Sequence, residues 1–455
     1  MLNGVGERLV PPIPQPESTT PSSRRLLWHY RNNALCAWPV AAYEDDVFVR
    51  SMFGRRTILV NRSDDIRRVL VDNAANYGRT RPTIRIIGPI LGSGLFLAEG
   101  EEWRHQRRAT APGFAPKSTS RFATQAAAAF TDALSGLDEN DSSGIDLLGW
   151  FQELALDVAG RALFSLPMST LGPHMRRLLD SYGRRFGQPD LLDFLLPLWL
   201  PNTRDLGRLW FKHRWFRLID DLINERRAIA PGGERDLFDL LIEARHPETG
   251  APFDAATLRG QVATFVVAGH ETTAVALFWT ARLLAQSPAW QDRVAEEAAS
   301  LDLSPEGAAA ALQKLNVTRA VVREAMRLYP PAFVIVRQAR AADRLAGREV
   351  PAGAVIMIAP WVLHRHRRLW DDADAFDPRR LLPEAPPPDR FAYLPFGAGP
   401  RVCIGASLAM AEATLVIAGL VSRFRLQPAD DFPVLPVAVV TTQPDRRARF
   451  RLTPR

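Results

Sequence analysis

The sequence predicts a mainly α fold with minor β, a single large helical domain carrying small sheets, and three observations carry that prediction. From about residue 100 to 300 the chain reads as successive amphipathic helices rich in Ala, Leu, Arg and Glu. Short β-like runs flank that region on both sides. No internal repeat and no linker long enough to divide the chain interrupts it.

Taken in order, residues 1–24 hold Pro11, Pro12, Pro14, Pro16 and Pro21, a proline-stiffened arm with no apolar core of a secretory signal. Residues 25–455 form the domain itself. Val47-Phe48-Val49 and Thr57-Ile58-Leu59-Val60 read as strands, punctuated by Gly54 and Asn61, before a helical pattern from Asp64 to Asn73. The most informative helix runs from about Asp254, a fitting N-cap, to Gln286, where Ser287-Pro288 stops it. At 1.5 Å per residue it spans about 50 Å. Its middle, Ala268-Gly269-His270-Glu271-Thr272-Thr273, places a glycine, an acid and two β-branched hydroxyl residues where a core helix has little use for them. Locally unfavourable residues in a strong helix point to a site. Strand signals return near 333–360 and 433–453.

The composition narrows the function. The 455 residues are 47 % hydrophobic and 24 % charged, which excludes a wholly disordered chain. Lys+Arg against Asp+Glu gives 57 − 50 = +7, but only Lys117, Lys212 and Lys314 are lysines and the arginines are interleaved with acids. That pattern disfavours nucleic acid and leaves docking of an acidic protein as the functional use of the charge. Two cysteines, Cys36 and Cys403, are too few for a disulfide scaffold or a zinc cluster and suit a cytoplasmic protein. No run of 18 apolar residues occurs, so no transmembrane anchor is expected. The apolar stretch 191–200 reads first as core packing, with an apolar mouth or a membrane contact as the alternatives. His105, His364 and His366 show no metal-ligand spacing, and His270 reads as a packed polar residue.

Chemistry concentrates in Phe396-Gly397-Ala398-Gly399-Pro400-Arg401-Val402-Cys403-Ile404-Gly405, followed by a helical run to Leu420. A lone cysteine at the end of a glycine-rich loop and the start of a helix meets inward amides and a positive dipole, both of which favour thiolate. Gly405 lets something flat approach the helix. A single thiolate suits one axial bond to haem iron.

Phe396-x-x-Gly399-x-Arg401-x-Cys403-x-Gly405 resembles the haem-thiolate signature of the cytochrome P-450 superfamily, and four further matches stand in the expected order. The stretch Ala268 to Thr273 resembles its oxygen-activating motif. Glu324-x-x-Arg327 resembles its ExxR motif, Phe376 to Arg380 the segment completing it, and Trp103-x-x-x-Arg107 the helix that reaches the haem propionates.

The resemblance implies haem b lying between the long central helix and the cysteine helix. Cys403 is its implied iron ligand. Trp103, Arg107, Ala268, Gly269, Arg337, Phe396, Gly399, Arg401 and Gly405 are the other implied cofactor contacts. Glu324, Arg327 and Arg380 form an implied structural network. Thr272 and Glu271 match the alcohol and acid that conduct protons during oxygen reduction, and Gly269 matches a groove for O2.

The implied activity is a monooxygenase hydroxylating or epoxidising a small apolar substrate, weakly a lipid or terpenoid. Its electrons come from NAD(P)H through a separate ferredoxin and ferredoxin reductase. The implied pocket comprises 83–96, 264–268, 332–335 and 438–441, where Arg85 is the one side chain able to meet a carboxylate, a solvent-facing role being the plainer reading. A peroxide-dependent or oxygen-independent relative, indifferent to Thr272, and a non-enzymatic haem protein, which couples no reductant to product, remain open alternatives.

Overall fold

The computed structural model describes residues 8–52, 54–137, 144–229 and 235–455. Residues 1–7 of the proline-rich arm lie outside them. The described part of the arm lies against the body: the Leu9 carbonyl accepts from Phe376 N–H at 2.9 Å, and Glu17 O from Val40 N–H at 2.9 Å.

The central helix spans Ala255–Ala285, and the Asp254 side chain caps it by accepting from the Thr257 amide at 2.7 Å. From Val262 to Val266 and again from Thr273 to Ala285 every residue is buried, the signature of a helix packed on all sides. It packs against Leu147–Phe164, while the cysteine helix, Ala406–Arg423, packs against Thr119–Leu134. The central and cysteine helices are long and apolar enough to cross a membrane by length and composition, yet most of that apolar length is inside the fold.

A five-stranded sheet forms beside the helices in the order Val47–Met52, Arg55–Val60, Val355–Ile358, Ile335–Ala339, Tyr77–Gly78. The second and third strands are parallel, Thr57 opposite Val355; the other pairs are antiparallel. Ile58, Val60, Ile356 and Ile358 are buried in a second apolar core. The predicted helix at 64–73 forms as Ser63–Arg67 running into a wider turn at Arg68–Asp72.

Near the C-terminus Pro436–Ala438 and Thr442–Pro444 form a small antiparallel pair. Thr442 fastens it to the helical body. Its carbonyl accepts from the Trp279 indole at 2.7 Å, its hydroxyl donates to Pro330 O at 2.6 Å, and Trp279 stacks on Tyr329 with ring centres 4.0 Å apart. That anchorage decides what stands next to the middle of the central helix.

Candidate active site

The cysteine loop is held by backbone geometry. Cys403 N–H donates to Phe396 O at 2.9 Å, closing the loop on itself. Gly399 sits at φ +73°, and a side chain there would fall 1.9 Å from the Leu70 carbonyl oxygen, so only glycine fits. At Gly405 the position of the missing side chain meets only Phe114, at 3.9 Å. The same Phe114 ring lies 5.4 Å from Phe265 of the central helix and so spans the two helices.

Cys403 is exposed although protein surrounds it on nearly every side, so it faces an interior space. Ala268, in the middle of the central helix, is likewise exposed while Val266 and His270 beside it are buried. Burial pushes the Cys403 thiol up from its ordinary value, opposed by the Gly405 amide and Arg107. The amide and the arginine act toward thiolate, the direction expected of the loop and helix start, against the desolvation.

Behind the loop the expected network is assembled. Arg327 is fully buried and places all five of its N–H groups. Two go to the Glu324 carboxylate at 2.8 Å, and three to the carbonyls of His364 (2.7 Å), Ala373 (2.6 Å) and Ala375 (2.8 Å). Glu324 also accepts from Asp377 N–H at 3.0 Å and faces Arg380 Nε at 3.7 Å. His364, in the turn after the short helix Pro360–Leu363, is buried within this network. Its Nε2 accepts from Leu394 N–H at 2.8 Å, two residues before Phe396, and burial drives its pKa down to about 3. His366 is buried as well, and His105 lies between His246 and Phe253 at 5.0 and 4.7 Å.

Three arginines form a cationic cluster. Arg401 stacks over Trp103 at 4.7 Å and donates to Ala98 O at 2.8 Å. Arg337 is buried and its pKa falls to about 10, by desolvation and then by Arg401. Arg79 falls further, to about 8, by desolvation and then by Arg337 and Arg401; its Nε is buried without a partner. Glu99 is the acid among them, and it is engaged by the Arg79 amide at 2.7 Å and by Arg340. Cations crowded together at such cost define a site for a bound anion. Arg107 is half-buried, and burial lowers its pKa while its proximity to Cys403 acts the other way. Arg79 escaped the sequence reading because the two-residue strand that brings it to Arg337, through Gly78 opposite Gln338, is too short to show a pattern.

On the central helix, Thr272 Oγ1 donates to Ala268 O at 2.6 Å. Glu271 Oε1 accepts from Thr441 Oγ1 at 2.6 Å and from Gln443 Nε2 at 2.7 Å, so the C-terminal strand pair holds the acid. His270 is buried with both ring nitrogens unpartnered, and burial, then Arg176, lowers its pKa to about 4. At Gly269 a side chain would meet Ala159 at 3.1 Å, so its smallness also serves the close approach of the neighbouring helix. Arg85 is neither in solvent nor free for a substrate. It is buried and donates to the carbonyls of Pro197 (2.7 Å), Leu200 (2.8 Å) and Leu192 (3.4 Å). The 191–200 stretch is not core packing either, since Leu195, Leu198, Trp199 and Leu200 are exposed.

A cysteine facing an interior space, a helix start with room beside it, an exposed alanine on the central helix and a cluster of crowded cations fit a flat dianionic cofactor with one open metal coordination position. The cytochrome P-450 family profile matches residues 31–447. The chain is 33 % identical over 437 residues to cyclooctat-9-en-7-ol 5-monooxygenase of Streptomyces melanosporofaciens, covering 92 % of this chain and 91 % of that one. It is 34 % identical over 373 residues to pentalenene oxygenase of Streptomyces avermitilis, covering 80 % and 81 %. Its fold matches the retinoic acid-bound cyanobacterial CYP120A1 with a TM-score of 0.76 at 23 % identity, covering 90 % of this chain and 92 % of the other. The chain belongs to the cytochrome P-450 family and is a haem-dependent monooxygenase.

Proposed function

We propose that this enzyme binds haem b through Cys403 and inserts one oxygen atom into a neutral terpenoid-like substrate. The observation that carries the reading is the Cys403 thiol, enclosed by protein yet open to an interior space. In this reading Arg337, Arg401 and Arg107 hold the propionates with Trp103, and Arg79 joins them. Phe396, Gly399 and Gly405 shape the proximal face, and Ala268 and Gly269 belong to the distal one. Haem, when bound, supplies the iron at which O2 is reduced.

Glu271 and Thr272 deliver protons. Thr272 gives up its bond to the Ala268 carbonyl and turns its hydroxyl toward the open face, and Glu271, steadied by Thr441 and Gln443, takes a proton from solvent and passes it to that hydroxyl. Apolar pocket side chains exclude water and orient the substrate by shape. With Arg85 committed to carbonyls, a carboxylate has no cation to meet in the 83–96 stretch, which supports a neutral substrate over a fatty acid. The named relatives point to terpenoid-like chemistry. Electrons reach this chain from a separate ferredoxin and its reductase, and the bacterial relatives support a cytoplasmic setting.

The test is spin-state titration of the haem-loaded protein with terpenoid hydrocarbons, alcohols and fatty acids. The reading expects a Soret shift with the terpenoids and oxygenated product when ferredoxin and reductase are added. A shift with fatty acids alone would overturn the substrate assignment. Unchanged coupling of reductant to product in Thr272→Ala would overturn the proton route.

A further inference from the structure

The strands Phe424–Pro428 and Phe450–Pro454 pair antiparallel, with Leu426 opposite Leu452 and Gln427 opposite Arg451. Side chains alternate across a strand, so one face carries Leu426, Phe450 and Leu452, all buried, and the other carries Arg425, Gln427, Arg451 and Thr453. Arg425 stands opposite Thr453, which makes Arg425 and Arg451 diagonal neighbours, roughly 7–8 Å apart at the backbone. Like charges within reach of each other weaken a strand pair unless something opposite joins them.

A groove of about 260 Å3 opens beside these strands, where the central helix ends at Ala285 and the helix Pro288–Ala299 begins. Ala285, Pro288, Leu426 and Pro428 give it an apolar floor. Gln291 makes that floor rigid. It is buried, and its amide donates to the carbonyls of Leu284 and Leu426 at 3.0 Å each and accepts from Leu426 N–H at 2.7 Å, in the manner of a third strand. The ionisable residues lining the groove are Arg425 and Arg451, with the Gln427 amide beside them. Asp292 is not part of the lining; it is shared between Arg425 at 2.7 Å and Arg455 at 2.8 Å, so it neutralises neither in full. Arg451 is exposed and, among the described residues, has no ion pair or hydrogen-bond partner.

We propose that this groove binds a small organic phosphate, its phosphate held by Arg425, Arg451 and the Gln427 amide and its short apolar group lying over Pro288 and Pro428. None of these residues is assigned to haem or to the oxygenation substrate, so the site stands apart from that chemistry. Guanidinium groups meet phosphate oxygens in pairs, and two of them suit a dianion better than the single charge of a carboxylate. The volume sets the size of the ligand. Sites for drug-sized molecules run from about 300 to 1,000 Å3, so this one suits a phosphate with a few carbons and is too small for a nucleotide. An occupant joins the strand pair to the end of the helix that carries Glu271 and Thr272, and it stabilises the fold by mass action.

Isothermal titration calorimetry of the haem-loaded full-length protein in phosphate-free buffer tests this, with inorganic phosphate, butyl phosphate and butyrate as titrants. Butyl phosphate is expected to bind about fourfold or more tightly than inorganic phosphate, the gain of one buried methylene, and to raise the melting temperature. Butyrate is expected to bind more weakly than either. Arg451→Glu is expected to weaken both phosphates by about tenfold or more while melting at the parent temperature without ligand, and Arg451→Lys to keep part of the binding. Absence of saturable binding by either phosphate would overturn the proposal, as would equal binding by the Arg451→Glu protein. Butyrate binding as tightly as butyl phosphate would overturn the assignment to phosphate. A Soret shift during the titration that persists in Arg451→Glu would place the anion at the haem and overturn the site.

Discussion

Arg327→Lys isolates the contribution of the buried network to holding the cysteine loop. Arginine here donates five N–H groups to five acceptors, the two Glu324 oxygens and the carbonyls of His364, Ala373 and Ala375, with both charged side chains fully buried. An ammonium keeps the charge but offers three donors, so at least two buried acceptors lose their partner. At about 1–3 kcal/mol for each buried acceptor left unpaired, the cost is roughly 2–6 kcal/mol. Chains of this kind have about 5–15 kcal/mol in total, so the loss is large without being certain to unfold the protein. Its consequence is directional. The carbonyls released belong to 364–375, and His364 in turn holds Leu394 N–H at the entrance to the loop that ends in Cys403. Denaturant titration of the purified variant, with haem content per chain measured in parallel, reads both effects. A stability loss under about 1 kcal/mol with full haem content would refute the argument that the five bonds are what hold this region together.

Other perturbations follow from the same structure. His270, with its pKa lowered to about 4 by burial, remains neutral in the fold, so stability present at neutral pH is lost as pH falls from about 6.5 toward 4. At about 1.4 kcal/mol per unit this amounts to roughly 3 kcal/mol, and His270→Leu is expected to flatten that window in denaturation midpoints taken against pH. Glu412 is buried on the cysteine helix with Oε1 unpartnered and its pKa raised well above 4.5 by desolvation, so it has the opposite sign. Its stability contribution is complete below about 4.5 and shrinks as pH rises, and Glu412→Gln is expected to melt higher at pH 7 than the parent. Gly399→Ala forces a side chain into a left-handed backbone against the Leu70 carbonyl, costing about 2 kcal/mol or more, read as lower melting temperature and lower haem content. Gln443→Leu removes one of two donors to Glu271, and peroxide released per reductant consumed is expected to rise while substrate affinity holds.

Much of this was legible locally. The central helix announced its own start, because an Asp N-cap and a following apolar run are neighbours in sequence. Glu324 and Arg327 pair at a helical spacing of three, so their contact could be read from the chain as well. What escaped was long-range. Thr441 and Gln443 reach Glu271 across about 170 residues of chain, and nothing near either end marks the pairing. Arg79 joins Arg337 through a strand pair two residues long. Hydropathy misjudged the 191–200 stretch for a different reason: apolar content says that a segment avoids water, not which surface it avoids water against. Arg85 was misread because a charged residue in an apolar stretch is usually exposed, whereas here three loop carbonyls make its burial affordable.

The most direct measurement is the carbon monoxide difference spectrum of the dithionite-reduced, haem-loaded protein, beside that of Cys403→Ser. The account predicts the strongly red-shifted Soret band of thiolate-ligated haem in the parent and its loss in the variant. A parent that is folded and supplied with haem yet lacks that band, or a Cys403→Ser protein that keeps it, would contradict the assignment of Cys403 as the iron ligand.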